Sequence, residues 1–214
     1  RSKHDWILFT DSGCRLPKEW IASFFNTVEH HQATNAIYFT PVQLANTSRF
    51  EIISGGFMVP SIQYQVEKGY PTTRSLMVHR SLFTTIGMFN TKLKVSEDYE
   101  WMNRATSLNT RFIAVNEVQV TWTAPKTMDE FVYKIARYSF YDGVVHQRPK
   151  LLRSYALRYA FFICACLISF SLASILLKIY LMISIYKVGL LRRLRLTPPE
   201  LISAFATKLV IDIV

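Results

Sequence analysis

A chain of 214 residues has room for one domain plus a membrane segment, and a composition that is half hydrophobic is high for a purely soluble domain. Its positive charge is uneven: residues 1–150 carry 17 Lys+Arg against 13 Asp+Glu, and residues 151–214 carry 8 against 2. The basic excess flanks a bilayer-length apolar run rather than a polar face, so it reads first as attraction to anionic lipid, with nucleic-acid binding the weaker reading and no nucleic-acid partner expected.

Trp6 to Thr10 is an apolar run ended by Asp11-Ser12-Gly13, which predicts a buried strand closed by a turn. Pro17 suits the first turn of a helix, with Trp20, Phe24, Phe25 and Val28 following at helical spacing. Ala36 to Val42, rich in β-branched and aromatic residues, predicts a second strand. From Ser48 to Gln65 the interruptions at Gly55-Gly56 and Pro60 predict short helices and turns. Pro71 to Arg74 reads as a loop, Ser75 to His79 as a strand, and Arg80 to Ile86 as a short helix closed by Gly87. Ser96 is expected to N-cap a helix reaching about Leu108, with Glu97 and Asp98 in its first turn. Arg111 to Val115 and Val118 to Trp122 predict two further strands, and Thr127 is expected to cap a helix from Met128 to about Tyr141. Strands alternating with helices argue for an α/β sheet.

Tyr159 to Leu177 is 19 residues without a charge, close to the length that spans a hydrocarbon core. Lys178 interrupts it, apolar residues resume to Tyr186, and both flanks are basic, so a long tilted span, a tight hairpin and interfacial packing all stay open. Thr197-Pro198-Pro199-Glu200 begins a further helix. The three cysteines, Cys14, Cys164 and Cys166, lack zinc-like or redox spacing and fit a reducing, cytosolic setting. Arg1 stands directly before a strand, Val214 lies inside an apolar pattern, and no signal peptide is visible. Both ends are therefore expected to be cut from something longer.

The residues that carry chemistry each have an ordinary alternative. Asp11 sits where a buried strand ends, the place where α/β sheets gather ligands, and one carboxylate is enough to anchor a hard divalent cation that takes its other oxygens from phosphates and water. Asp-Ser-Gly is equally an ordinary turn. Glu97-Asp98 is either a helix-start charge pair or a carboxylate placed to deprotonate a sugar hydroxyl. Lys134 and Arg137 share a helix face with Tyr138 nearby, suited to a phosphate or simply to solvent.

The order of these residues is more specific than any one of them. From Asp11 to Gly143 the chain resembles the second half of a family 2 glycosyltransferase with the GT-A fold. Leu8 to Cys14 looks like that family's metal-binding Asp-x-Asp strand end, with Gly13 standing where the second Asp would be. Thr73-Arg74-Ser75-Leu76 with Phe83, Gly87 and Phe89 looks like its acceptor-side segment; Ser96-Glu97-Asp98 resembles its Glu-Asp motif, and Arg137-Tyr138 with Asp142-Gly143 its late Arg-aromatic motif. The resemblance implies a partial GT-A, Rossmann-like mixed sheet lacking its N-terminal half over residues 1–150. A transmembrane helix or hairpin is expected over 151–187, then over 188–214 a basic linker and the start of a further amphipathic or membrane helix. It implies an inverting hexosyltransferase at the cytoplasmic face of a membrane, with a nucleotide-sugar donor such as a UDP-sugar and a lipid-linked or polysaccharide acceptor. In this resemblance Asp11 binds Mg²⁺ or Mn²⁺, Asp98 is the general base, and Glu97 orients the acceptor. Arg137, Lys134, Tyr138 and Arg74 hold the diphosphate. Without the family's donor-binding half the chain alone is expected to bind nucleotide sugar poorly and to be inactive. The alternative is a non-catalytic membrane-anchored module.

Overall fold

A computed structural model describes residues 3–45, 48–144 and 169–187, with isolated positions between 153 and 167 and between 202 and 208. It is mixed α/β. The strands are β1 (Trp6–Phe9), β2 (Cys14–Arg15), β3 (Ala36–Phe39), β4 (Val42–Leu44), β5 (Leu76–His79), β6 (Arg111–Ala114) and β7 (Val120–Trp122). The helices are α1 (Trp20–His31), α2 (Arg49–Met58), α3 (Ile62–Lys68), α4 (Ser81–Thr85), α5 (Glu97–Ser107), α6 (Met128–Val144) and α7 (Phe170–Lys187). The chain divides into two units: Arg1–Asn46 with Val59–Ala124, and Thr47–Met58 with Pro125–Val214.

The first unit holds both sheets. Four strands run in the order β1-β5-β3-β6 and three in the order β2-β7-β4. In the larger sheet β5 is antiparallel to β1 and β3, whereas β3 and β6 are parallel. The sequence of β3 explains its central place. All four of its side chains are apolar and fully buried, so both faces of the strand must be covered. Ala36 and Tyr38 join Trp20 and Phe24 of α1 in one core, with Met77 and Ile113 from the neighbouring strands. Ile37 and Phe39 point the other way, into a core with Leu82 of α4 and Trp101, Met102 and Ala105 of α5. Aromatic rings fill the second core, with Phe83 and Phe89 each 5.4 Å from the Trp101 ring.

The predicted strand Ala36–Val42 is in fact two strands in two sheets. Thr40 and Pro41 lie between β3 and β4, and Pro41 has no N–H to continue a ladder. β4 then pairs in parallel with β7, which pairs antiparallel with β2, a strand too short to show any hydrophobic pattern. Gln65, on α3 and 2% exposed, secures this crossing. Its Oε1 accepts the Val42 N–H at 2.8 Å, and its Nε2 donates to the carbonyls of Val42 at 2.8 Å and Pro60 at 2.9 Å. One amide thus satisfies both backbone groups of the first β4 residue.

Other expectations hold or change in detail. Thr127 does cap α6, its Oγ1 accepting the Glu130 N–H at 3.3 Å. Gly87, with φ +89°, ends α4 in the left-handed conformation that glycine adopts without strain. A Cβ there would also meet the Arg104 guanidinium at 3.0 Å. Gly55 and Gly56 do not break α2, which runs through both with each of them buried. Ser96 occupies the N-cap position of α5 but makes no side-chain cap, because its backbone is left-handed at φ +61°.

In the second unit, Ile53 of α2 and Ile185 of α7 share a small core with Ala204. Phe50 and Phe131 meet edge to face, and the Ser54 hydroxyl donates to the Pro125 carbonyl at 3.1 Å. Among the described residues no helix is long and apolar enough to cross a membrane. Parts of the span expected at 159–177, and most of residues 188–214, lie outside the described residues.

Replacing Gln65 with Leu keeps the volume but strands a buried N–H and two carbonyls. Stability measured by urea unfolding should fall by about 2–4 kcal/mol, and a loss under ~1 kcal/mol would show that the clamp is not what fixes β4.

Candidate active site

The strand register brings the site residues of the first unit to one end of the sheet. Leu76, the first residue of β5, pairs with Phe9 at the end of β1 and with Phe39 at the end of β3. Phe39 in turn pairs with Ala114 at the end of β6. The carboxyl ends of three strands and the segment leading into β5 therefore converge. Asp11 leaves that end from β1, and Thr72 to Ser75 enter it. Buried Ser75 anchors the entering segment: its hydroxyl accepts from the Trp20 indole at 2.8 Å and from the Thr40 hydroxyl. Gly13, with φ +86° and open space where a Cβ would stand, turns the chain after Asp11 back into β2.

The N-terminus of α5 joins the same end through Asp98. The Thr73 N–H and hydroxyl both donate to Asp98 Oδ2, at 3.5 and 3.3 Å. Asp98 Oδ1 accepts the Tyr99 N–H at 2.7 Å, so this carboxylate does the capping that the Ser96 side chain does not. Burial pushes the neighbouring Glu97 carboxyl above the usual range; its own backbone N–H opposes this, and the charges of Asp98 and Asp11 push it further up. The charges of Asp98 and Asp11 thus both act on the Glu97 carboxyl at this end. The left-handed Ser96 just before it is a backbone position of the kind that clusters at functional sites.

Arg74 supplies the opposite charge. Its guanidinium carbon lies 4.3 Å from the centre of the Trp122 ring. Its Nε is buried with no hydrogen-bond partner, as is Thr72 Oγ1 two residues earlier. Unpaired buried polar atoms are rare, and here two of them flank Thr73. Cys14 reports how near Arg74 comes to the Asp11 turn. Burial pushes its thiol up and a hydrogen bond from the Asp11 backbone lowers it; the Asp11 charge raises it and the Arg74 charge lowers it.

Asp11, Arg74, Glu97 and Asp98 therefore lie in the first unit, linked by hydrogen bonds and charge. Lys134, Arg137 and Tyr138 lie in the second, all half-buried on α6. There the Arg137 guanidinium carbon sits 5.5 Å from the ring of Tyr133, one turn earlier. Thr73 and Trp122 are the residues the sequence reading missed in these roles. The Thr-Thr-Arg run before a strand is a weak pointer to the first, and Trp122 looks like any core tryptophan.

Among the described residues no group of three or more His, Cys, Asp and Glu side chains could hold a metal ion. That leaves the mode in which Mg²⁺ or Mn²⁺ takes one protein carboxylate and draws its other oxygens from phosphate and water. Asp11, an exposed oxygen donor at a strand end with Arg74 close by, fits that mode. No family model matches the chain, and no curated protein matches it.

The raised Glu97 has a consequence for stability. A carboxyl with a folded pKa above its unfolded value contributes stability below the unfolded pKa, which is lost as pH rises through the folded one. Glu97→Gln should therefore melt higher than the parent chain at pH 7, with the gap closing as pH falls to about 4. A gap that widened on acidification would overturn the environment assigned to Glu97.

Proposed function

We propose that this chain is the acceptor-side part of a membrane-attached inverting glycosyltransferase of the GT-A type, resembling family 2. It would transfer a hexose from a nucleotide-sugar donor, such as a UDP-sugar, to a hydroxyl of a lipid-linked or polysaccharide acceptor. The observation that carries this reading is the meeting of Asp11, Glu97 and Asp98 with Arg74 at the carboxyl end of the sheet.

Each residue has a task suited to its surroundings. Asp98 is the general base: donors on both of its oxygens fix the direction of its carboxylate. Glu97, more readily protonated, orients the acceptor by donating or accepting a hydrogen bond. Asp11 would hold Mg²⁺ or Mn²⁺ against the donor diphosphate. Bound there, the cation would supply positive charge to the leaving oxygens. Arg74 is assigned to the diphosphate as well, and Arg137, Lys134 and Tyr138 keep that assignment from the resemblance alone. Fixed cations facing a group that gains negative charge as the sugar departs are preorganised electrostatic catalysis.

Membrane attachment draws support from α7. It exposes Ile175, Ile179, Met182, Ile183 and Tyr186, which recur at helical spacing. That stripe, beside the basic excess of residues 151–214, suits the surface of an anionic bilayer. One observation favours the rival reading of a non-catalytic anchored module: Gly13 stands where the resembling motif has its second carboxylate.

In the full-length protein, Asp98→Asn should lower turnover by roughly 10²–10⁴-fold while nucleotide affinity stays within a factor of about three. Turnover within tenfold of wild type would remove the base assignment. Arg137→Ala should weaken UDP binding in equilibrium dialysis, and an unchanged affinity would strike that residue from the diphosphate site. A wild-type protein that bound neither UDP nor Mn²⁺ would favour the anchored module.

A further inference from the structure

Trp122 sits at a junction that the proposed chemistry leaves unexplained. It ends β7, the central strand of the smaller sheet, and its backbone is tied on both sides. Across β2 its partner is Cys14, three residues after Asp11, and across β4 its partner is Leu44. The Thr123 N–H donates to the Gly13 carbonyl at 3.3 Å, and the Ala45 N–H to the Trp122 carbonyl at 2.9 Å. The indole is 4% exposed and carries the Arg74 guanidinium 4.3 Å above its centre. Trp122 thus pairs with the strand that follows the Asp11-Ser12-Gly13 turn, whose Gly13 carbonyl is bonded by the next residue, Thr123, while its ring carries the Arg74 side chain.

We infer that Trp122 is a positioning residue for anion binding, setting the plane of Arg74 so that its outer edge takes a diphosphate oxygen pair beside Asp11. A guanidinium stacked on an indole loses one face to the ring and keeps its N–H groups in plane, where a planar fork meets two phosphate oxygens at once. The buried, unpartnered Nε of Arg74 shows that the stack already holds the group out of water on one side. A lysine would keep the charge but could not be oriented this way. This inference rests on the diphosphate reading of Arg74, and it adds that the ring beneath the arginine determines how well the arginine binds.

The test uses the full chain and magnesium pyrophosphate as probe, with affinity from calorimetry and folding checked by thermal melting. Wild type should bind, Arg74→Ala should weaken binding, and Trp122→Leu should weaken it by roughly tenfold. Trp122→Phe, which keeps a ring under the guanidinium, should stay within about threefold. Adding Trp122→Leu to Arg74→Ala should cost nothing more, because the ring acts only through the arginine. Should Trp122→Leu fail to fold, Arg74→Lys decides: a loss comparable to Arg74→Ala supports the stacked plane, and wild-type affinity overturns it. Full affinity in a folded Trp122→Leu also overturns the inference while leaving the diphosphate reading intact. Absence of pyrophosphate binding by wild type, or wild-type affinity in Arg74→Ala, overturns that reading and this inference together.

Discussion

Leu76 pairs with β1 on one side and β3 on the other, and most of the candidate site follows from that placement. A strand inserted antiparallel between two others delivers its preceding loop to the end where its neighbours finish. The loop Thr72–Ser75 therefore has to emerge beside Asp11, whatever its own sequence prefers. Buried Ser75, accepting from Trp20 and Thr40, locks that arrival point, since losing either donor would leave a polar atom unpaired in the core. Thr73 and Arg74 inherit their positions from this anchor: one reaches Asp98, the other lies on Trp122.

The electrostatics of the site come from unequal surroundings for similar groups. Asp98 receives donors on both oxygens, whereas Glu97 is half-buried between two like charges. Burial and the nearby charges raise the Glu97 carboxyl, whereas the bonds to Asp98 fix the direction of its carboxylate. The arginine does not cancel these charges by collapsing into a plain ion pair with them. Its stack on an aromatic ring keeps it available as a separate positive centre.

The readable parts of the sequence were those with a local signal. The apolar run before Asp11, the strand ending at His79, the glycine closing α4 and the threonine capping α6 each carry a pattern that the structure keeps. Of the smaller sheet only β7 was legible, within the predicted strand Val118–Trp122; β2 and β4, of two and three residues, have no period to detect as a separate sheet. Pro41 gave the one hint that Ala36–Val42 was not a single strand. Ser96 misled because its residue type suits a cap, while its left-handed backbone turns the hydroxyl away from that task. The site itself was half legible. Asp11, Glu97, Asp98 and Arg74 stand out by charge, but Thr73 and Trp122 act through geometry that only long-range pairing creates.

Arg104 ties one more segment to the acidic end of α5. Gripped by Glu100 one turn earlier, it donates to the carbonyls of Ile86 and Met88, while the Trp101 indole donates to the carbonyl of Gly87 between them. Three successive carbonyls of a loop are therefore bolted to the helix that carries Glu97 and Asp98. Helix and loop form a single lever. Any tilt that carries the two carboxylates toward or away from a bound molecule swings Met88, which is 70% exposed, through a matching arc. Grip on that methionine from outside would, by the same rigidity, set the attitude of the carboxylates.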